Sequence, residues 1–289
     1  MRRVLITGVG GFIGQHLARS LSQAGYSVAG TFHTRPMAME QESWLAGLYY
    51  MSLDGQSSYI DFSAFDIVIH VAFYLRKRRS DTNYAGTRRI AEAARHKGVT
   101  RQIFVSSYSA RPDAISEYGQ VKFRLERYFI DTGYELVRPG LVLGNGGIVA
   151  RIMSVLQAWP IIPLPSGGKG EVPFISISAL CEAMRKILDH PGNREHNLFS
   201  QHFTSLKLLV QTLQEVVCKS WHALLVPIPT NFILQGLQLV ELLQLPVPIG
   251  VDNLKGFIWN QRRLHKSTLG ELEVKSETLI EAVKAANLQ

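Results

Sequence analysis

The chain has 289 residues, 46% hydrophobic and 19% charged, enough for a sizeable core and unlike a disordered or repetitive protein. Its 31 basic and 23 acidic residues give a formal charge of +8, which suits an anionic ligand. The densest basic runs, Arg76-Lys77-Arg78-Arg79 and Arg262-Arg263 with His265 and Lys266, interleave no aromatics, so no nucleic-acid partner is expected. The two cysteines, Cys181 and Cys218, stand in apolar helical patterns without metal-ligand spacing; they read as buried thiols in a reducing compartment, and no metal is expected. Glycines at 8, 10 and 11 interrupt the apolar run after Met1-Arg2-Arg3, so no signal peptide is read. The most apolar stretch, residues 228–249, is broken by Pro246 and Pro248 and carries Gln235, Gln238, Glu241 and Gln244. No integral membrane segment is expected, and the expected location is cytoplasmic.

In chain order, Val4-Leu5-Ile6 predicts a short buried strand that runs through Thr7-Gly8 and Gly11 to Gly14. Phe12, Ile13, Leu17 and Leu21 have helical spacing. Glycines at 8, 11 and 14 permit a tight turn, a close backbone approach to pyrophosphate, and close packing of helix on strand. The N–H groups and dipole of that helix favour phosphates. A plain strand–helix turn also uses glycine, but one that follows a strand and opens a helix reads as dinucleotide binding.

Residues 26–32 alternate as a second strand between Gly25 and the His33-Thr34-Arg35-Pro36 turn, and residues 48–53 form a third, ending at Asp54-Gly55. Residues 66–72 are almost continuously apolar, as in a parallel strand buried on both faces. A helix is predicted over 83–96 (Tyr84, Thr87, Ile90, Ala91, Ala94), a strand over 103–107, a helix over 117–130 and a strand over 135–138. This alternation predicts an α/β fold with a doubly wound parallel sheet and ligands at the carboxyl ends of its strands. Beyond Gly140, residues 144–147 and 160–170 read as loops and 172–175 as a strand. Helices are expected at 178–188, 205–220 and 230–243, and only Lys207, Glu215, Lys219 and Glu241 are charged between 204 and 250. Two domains follow: 1–145 for a cofactor, and 146–289 as a smaller, mostly helical substrate lobe, with part of the chain returning to the sheet.

Tyr118 and Lys122 share one face of a predicted helix. A phenol with a pKa of about 10 is a poor general base at neutral pH, and a nearby ammonium lowers it by favouring the phenolate. A helix with a solvated lysine shows the same spacing. Ser107, eleven residues earlier and at the end of the fifth strand, is placed to hold a substrate's carbonyl or hydroxyl oxygen.

Thr7-Gly8-x-x-Gly11-x-x-Gly14, Ser107 and Tyr118-Gly119-Gln120-Val121-Lys122 together resemble the short-chain dehydrogenase/reductase superfamily. More narrowly, the chain resembles its extended or atypical branch, the NAD-dependent epimerase/dehydratase family. Phe12-Ile13, Ile69-His70-Val71-Ala72, Asn83-x-x-Gly86-Thr87 and Arg138-Pro139-Gly140 add to the likeness, which covers roughly residues 1–190. The resemblance implies a Rossmann-type fold, with Ser107, Tyr118 and Lys122 as catalytic residues. Cofactor contacts would come from Thr7, Gly8, Gly11, Phe12, Ile13, Gly14, His33, Arg35, Asp54, Val71, Ala72, Lys122 and Pro139. Lys122 would reach the ribose hydroxyls while Tyr118 moves a proton. A homodimer is implied through the helices at 84–96 and 118–130, with Tyr128 and Phe129 as apolar surface.

Relatives that prefer NAD carry an acidic residue at the end of the second strand; aligned on Gly25, that position is Phe32, followed by His33, Thr34 and Arg35. Arg35 offers a forked donor for phosphate, so NADP is expected over NAD; the alternative is a plain surface loop. Asp54 either receives the adenine amino group, as the resemblance implies, or starts the Asp54-Gly55 turn. Dehydratases of the family carry Asp and Glu where this chain has Tyr108 and Ser109, so dehydration is not expected. The family's frequent arginine ahead of residues 172–175 is missing, which weighs against a sugar nucleotide; residues 76–79 could serve as a diphosphate clamp but read as a solvated loop.

The expectation is an NAD(P)-dependent oxidoreductase or epimerase acting on a hydroxyl/carbonyl small molecule, with a sugar nucleotide as leading substrate. The alternatives are an apolar alcohol or ketone, which the charge-poor region 204–250 favours unless it is simply helical core, and a non-catalytic NADP-binding scaffold. The complete Ser107–Tyr118–Lys122 set argues against the scaffold. The helix at 230–243, with its polar edge, could be a partner or membrane-surface face.

Overall fold

The computed structural model describes residues 1–34, 44–57, 59–75, 79–190, 192, 194–217, 222–244, 250–259 and 265–286. The chain runs β1 (Arg3–Thr7), α1 (Phe12–Gln23), β2 (Ser27–Phe32), β3 (Gly47–Tyr50), β4 (Ile67–His70), α2 (Ser80–His96), β5 (Arg101–Val105), α3 (Glu117–Asp131) and β6 (Glu135–Pro139). It continues with β7 (Leu141–Leu143), α4 (Gly147–Ala158), β8 (Ile161–Pro165), β9 (Glu171–Val172), β10 (Phe174–Ser176), α5 (Ile177–Asp189) and β11 (Glu195–Leu198). Last come β12 (Thr204–Ser205), α6 (Leu206–Val217), β13 (Leu224–Ile228), α7 (Thr230–Leu242), α8 (Val251–Trp259) and α9 (Leu279–Ala285).

Seven strands form one parallel sheet in the order β11-β6-β5-β4-β1-β2-β3, with helices between them in the Rossmann manner. Leu5, Ile6, Val68 and Ile69 are fully buried, as expected of central strands covered on both faces. The chain winds outward from β1 in both directions, so the order reverses between β1 and β4, and a crevice opens at their carboxyl ends.

The chain folds as two compact units. The first comprises Met1–Pro112, Glu117–Arg138 and Cys181–His196. Several of its strands end earlier than their apolar patterns. β4 stops at His70 because the Val71 and Ala72 N–H groups both turn to the Thr7 Oγ1, at 3.0 and 3.1 Å. β3 stops at Tyr50; Met51 keeps an isolated bridge to Ser57, and the Ser52 N–H goes to the Gln56 carbonyl. α2 starts at Ser80, three residues before the periodicity shows it. Phe129, expected on a dimer surface, is fully buried and stacks on Phe104 at 4.9 Å, so only Tyr128 of that pair keeps exposed area.

The second unit comprises Asp113–Ser116, Pro139–Leu180 and Asn197–Gln289. Residues 147–158, unassigned from the sequence, form α4, whose Val149, Ile152 and Leu156 enter a core with Leu209, Leu213 and Val283. Part of the expected loop at 160–170 is β8, paired in parallel with β13. Pro173 divides the expected strand at 172–175 into β9 and β10; its carbonyl accepts the Leu141 N–H. The helices expected at 178–188 and 205–220 are α5 and α6, and residues 218–220 of the second, with Cys218, lie outside the described residues. Cys181, in the part of α5 that belongs to the first unit, is buried, which pushes its thiol up to about 12. The region 204–250 is core only in part: α6 is packed, whereas α7 buries no residue. Among the described residues, no helix is long and apolar enough to cross a membrane.

Candidate active site

The turn after β1 is built by sterics. Gly8 has φ of +76°, and a Cβ there would lie 2.8 Å from the Ala72 Cα. A Cβ at Gly14 would lie 2.3 Å from the Gly8 carbonyl oxygen, so α1 presses against the turn more closely than any side chain allows. No side chain caps α1 at Gly11, and no acidic residue stands in its first turn. Its leading N–H groups, including those of Phe12 and Ile13, therefore present a positive end suited to an anion. Thr7 is buried and spends its hydroxyl oxygen on Val71 and Ala72, drawing the segment after β4 against the glycine turn. Thr7, Gly8, Gly11, Phe12, Ile13, Gly14, Val71 and Ala72 thus converge on the β1–β4 crevice. A narrow backbone cradle at an uncapped helix end fits a dinucleotide pyrophosphate.

At the far end of the sheet, His33 is exposed after β2, its ring 5.1 Å from Tyr74 and 6.2 Å from Tyr50. Arg35 lies outside the described residues, as do Arg76, Lys77 and Arg78. Arg79 is described, and its guanidinium lies 5.7 Å from the Tyr74 ring centre. Asp54 stands in the exposed turn after β3. The Ser52 hydroxyl holds its carboxyl below the usual range, with Arg79 and His33 adding to the effect. Ser52 also hydrogen-bonds the Tyr74 hydroxyl at 2.7 Å.

The third group lies at the carboxyl end of β5. Ser107 follows that strand, and its hydroxyl shares a hydrogen bond with the Tyr118 phenol from the first turn of α3. Lys122, one turn on and almost fully buried, donates from Nζ to the Val105 carbonyl at 2.7 Å. Its ammonium lies 4.5 Å from the Phe73 ring centre and 4.7 Å from that of Phe104. Ser107, Tyr118 and Lys122 are therefore brought together. The electrostatics differ from the simple expectation: burial raises the Tyr118 pKa, and the group that pulls it back is Ser107, not the ammonium. Burial brings Lys122 itself down to about 7. Pro139 is buried at the end of β6.

Several residues gave no functional signal in the sequence. Phe73 packs edge-to-face on Tyr118, with ring centres 5.2 Å apart. Asn83 is clamped by its side chain to both backbone groups of Tyr74, at 2.7 and 2.9 Å. Phe73 follows the Ile69–Ala72 motif without belonging to it, and Asn83 was quoted for the family likeness with no role; their interactions join separate elements and carry no sequence period. Glu126 had such a signal, since it continues the Tyr118–Lys122 spacing by one more turn. Among the described residues no cluster of His, Cys, Asp and Glu could hold a metal ion.

Residues 4–199 match the NAD dependent epimerase/dehydratase family. The chain is 25% identical over 268 residues to dTDP-4-dehydro-6-deoxy-D-allose reductase of Streptomyces bikiniensis, spanning 75% of this chain and 81% of that protein. It is 32% identical over 177 residues to ceramide reductase of Caulobacter vibrioides, spanning 56% of this chain and 54% of that protein. Among solved structures, the NAD dependent NDP-hexosamine 5,6-dehydratase TunA of tunicamycin biosynthesis superposes with a TM-score of 0.72 at 18% identity, over 99% of this chain and 96% of its own. At that identity the likeness shows the fold.

Proposed function

The chain belongs to the NAD-dependent epimerase/dehydratase family, and from that premise we propose that it is an NADP-dependent oxidoreductase or epimerase acting on a hydroxyl/carbonyl pair of a sugar nucleotide. The observation that carries the reading is the Ser107–Tyr118 hydrogen bond, with Lys122 on the same face of α3.

When bound, a nicotinamide cofactor would supply hydride chemistry at a carbon bearing oxygen. Gly8, Gly11, Phe12, Ile13 and Gly14 hold the pyrophosphate, with Thr7, Val71 and Ala72 forming the opposite wall and Pro139 adding an apolar contact. Ser107 holds the substrate oxygen, and Tyr118 moves the proton at that oxygen. Lys122 reaches the ribose hydroxyls and completes a proton path, while Ser107 favours the phenolate. His33 and Arg35 receive the adenosine 2′-phosphate and Asp54 the adenine amino group; the lack of a carboxylate at Phe32 supports NADP. The similarity to a dTDP-sugar reductase supports a sugar-nucleotide substrate. Tyr108 and Ser109, in place of an acidic pair, weigh against dehydration.

A second reading, reduction of an apolar ketone, is supported by the exposed apolar side chains of α7 and by the similarity to ceramide reductase. The proposal includes a cytoplasmic homodimer paired through α2 and α3, where Arg88 and Arg124 lie over the rings of Tyr84 and Tyr128. The decisive experiment titrates the purified protein with NADPH and NADH by fluorescence, then screens the tighter complex against sugar nucleotides and apolar ketones. Tighter NADPH binding and turnover of a sugar nucleotide are expected. Tighter NADH binding overturns the roles of His33 and Arg35, and turnover of apolar ketones alone moves the assignment to the second reading.

A further inference from the structure

Tyr118, Lys122 and Glu126 follow one another at four-residue spacing on α3 and so stand on a single face. Glu126 is only 1% exposed. A carboxylate so placed is tolerated only when it is paired and hydrogen-bonded. Arg138 of β6 supplies the pairing: Nε donates to both oxygens at 2.9 and 3.0 Å, and Nη2 to Oε2 at 2.8 Å. Arg138 Nη1 also meets Glu195 of β11 at 2.8 Å. The third donor is the Ser106 hydroxyl, 2.5 Å from Oε1. Ser106 immediately precedes Ser107, and Val105, whose carbonyl takes the Lys122 ammonium, immediately precedes Ser106. The end of β5 and the face of α3 therefore meet at Glu126.

We propose that Glu126, held in place by Arg138 and Ser106, is the positioning residue of this site, keeping Lys122 charged in an apolar slot and registering Ser107 against Tyr118. The inference rests on the roles assigned above to those three residues. The slot around Lys122 consists of the Phe73, Phe104 and Tyr118 rings and one carbonyl, which by itself favours a neutral amine. Burial accordingly brings Lys122 down to about 7, and Glu126 is the charge that pulls it back up. The ionisable groups that face it on α3 are Tyr118 and Glu126; Glu126 is paired with Arg138 on β6, which also meets Glu195 on β11, and on β4 burial keeps His70 neutral. Glu126 can act only while ionised. Burial raises its own pKa, and Arg138 and Ser106 pull it down. Inside, the Glu126 carboxylate and the Arg138 guanidinium balance, while Glu195 meets Arg138 from an exposed position.

The test uses cofactor-free protein carrying lysine labelled with carbon-13 at the ε position, with the Lys122 resonance assigned by its loss in Lys122→Met. Wild type is expected to titrate near 7 at this lysine. Glu126→Gln lowers the midpoint by about one pH unit, and Glu126→Asp, with a shorter reach, by less. Glu126→Gln should still bind NADPH, because the glycine turn is untouched. A Lys122 midpoint that stays at the wild-type value in folded Glu126→Gln overturns the proposal. If that variant does not fold, Glu126→Asp carries the same reading, since it keeps the pair with Arg138. The titration needs no substrate, so its failure is distinct from failure of the catalytic assignment, which activity of Tyr118→Phe tests.

Discussion

α3 and α7 have 15 and 13 residues, yet α3 buries six of its residues, including Lys122 and Glu126, and α7 buries none. α3 is the less apolar in composition and the more deeply packed. Its polar groups go inside because each finds a partner there: Glu126 meets Arg138 and Ser106, and Lys122 meets Val105. α7 carries one charged residue, Glu241, and leaves Phe232, Leu239 and Leu242 mostly exposed. The contrast separates two demands. Proton chemistry needs side chains held at fixed geometry in a dry setting, which burial with matched partners provides. An exposed apolar stripe provides area without geometry, as suits a surface that receives something from outside.

The sharpest test of this contrast is Tyr118→Phe, which removes one oxygen from a packed site. Turnover of a substrate found in the screen should fall by about 10²- to 10⁴-fold while NADPH affinity stays unchanged. Unchanged turnover would mean that α3's burial serves folding alone. Leu125→Ala comes next: this side chain is fully buried in the cluster with Phe104 and Phe129, so urea unfolding should show a loss of about 2–5 kcal/mol.

The buried base on the neighbouring strand gives a pH signature. His70 Nε2 donates to Gln102 Oε1 at 2.8 Å, its Nδ1 has no partner among the described residues, and burial lowers its pKa from 6.5 to about 4. The unfolded chain takes up this proton first as pH falls, so the stability contribution is whole above about 6.5 and is lost between there and about 4. The loss amounts to about 3 kcal/mol. His70→Asn should flatten this part of the stability profile, measured by urea unfolding at pH 7, 5.5 and 4; an unchanged slope would assign the acid limb to carboxylates. The smallest effect is expected on α7. Leu239→Ala, at a residue 57% exposed, should change stability by no more than about 0.5 kcal/mol. A loss comparable to Leu125→Ala would show that the exposed stripe is packed in solution.

The legible parts of the site were the local ones. Val4 to Gly14 announced a strand, a turn and a helix because apolar spacing and glycine sterics act over a few residues. Tyr118 and Lys122 were legible for the same reason, since a helix places residues four apart on one face. The Arg138-Pro139-Gly140 motif drew notice, but nothing near Arg138 in the chain says that its partner is Glu126, across a helix-to-strand turn. The Thr7 hydroxyl looked like a cofactor contact; that its oxygen ends β4 depends on a residue 64 positions away. Boundaries erred in the same way, because an apolar run shows where a strand can extend and a side-chain acceptor decides where it stops.

By itself, the sequence determined the alternation of strands and helices, the glycine turn and the spacing of Tyr118 and Lys122, all of which follow from periodicity and backbone sterics. Only the tertiary structure decided which charges are matched inside and which apolar helix is left uncovered. An apolar stripe requires a partner without naming it, and a buried carboxylate is stable or ruinous according to what another segment brings beside it. α3 and α7 look alike as amphipathic helices. The arrival of β5 and β6 beside α3 makes its polar face an interior one, while α7 keeps its apolar side chains exposed.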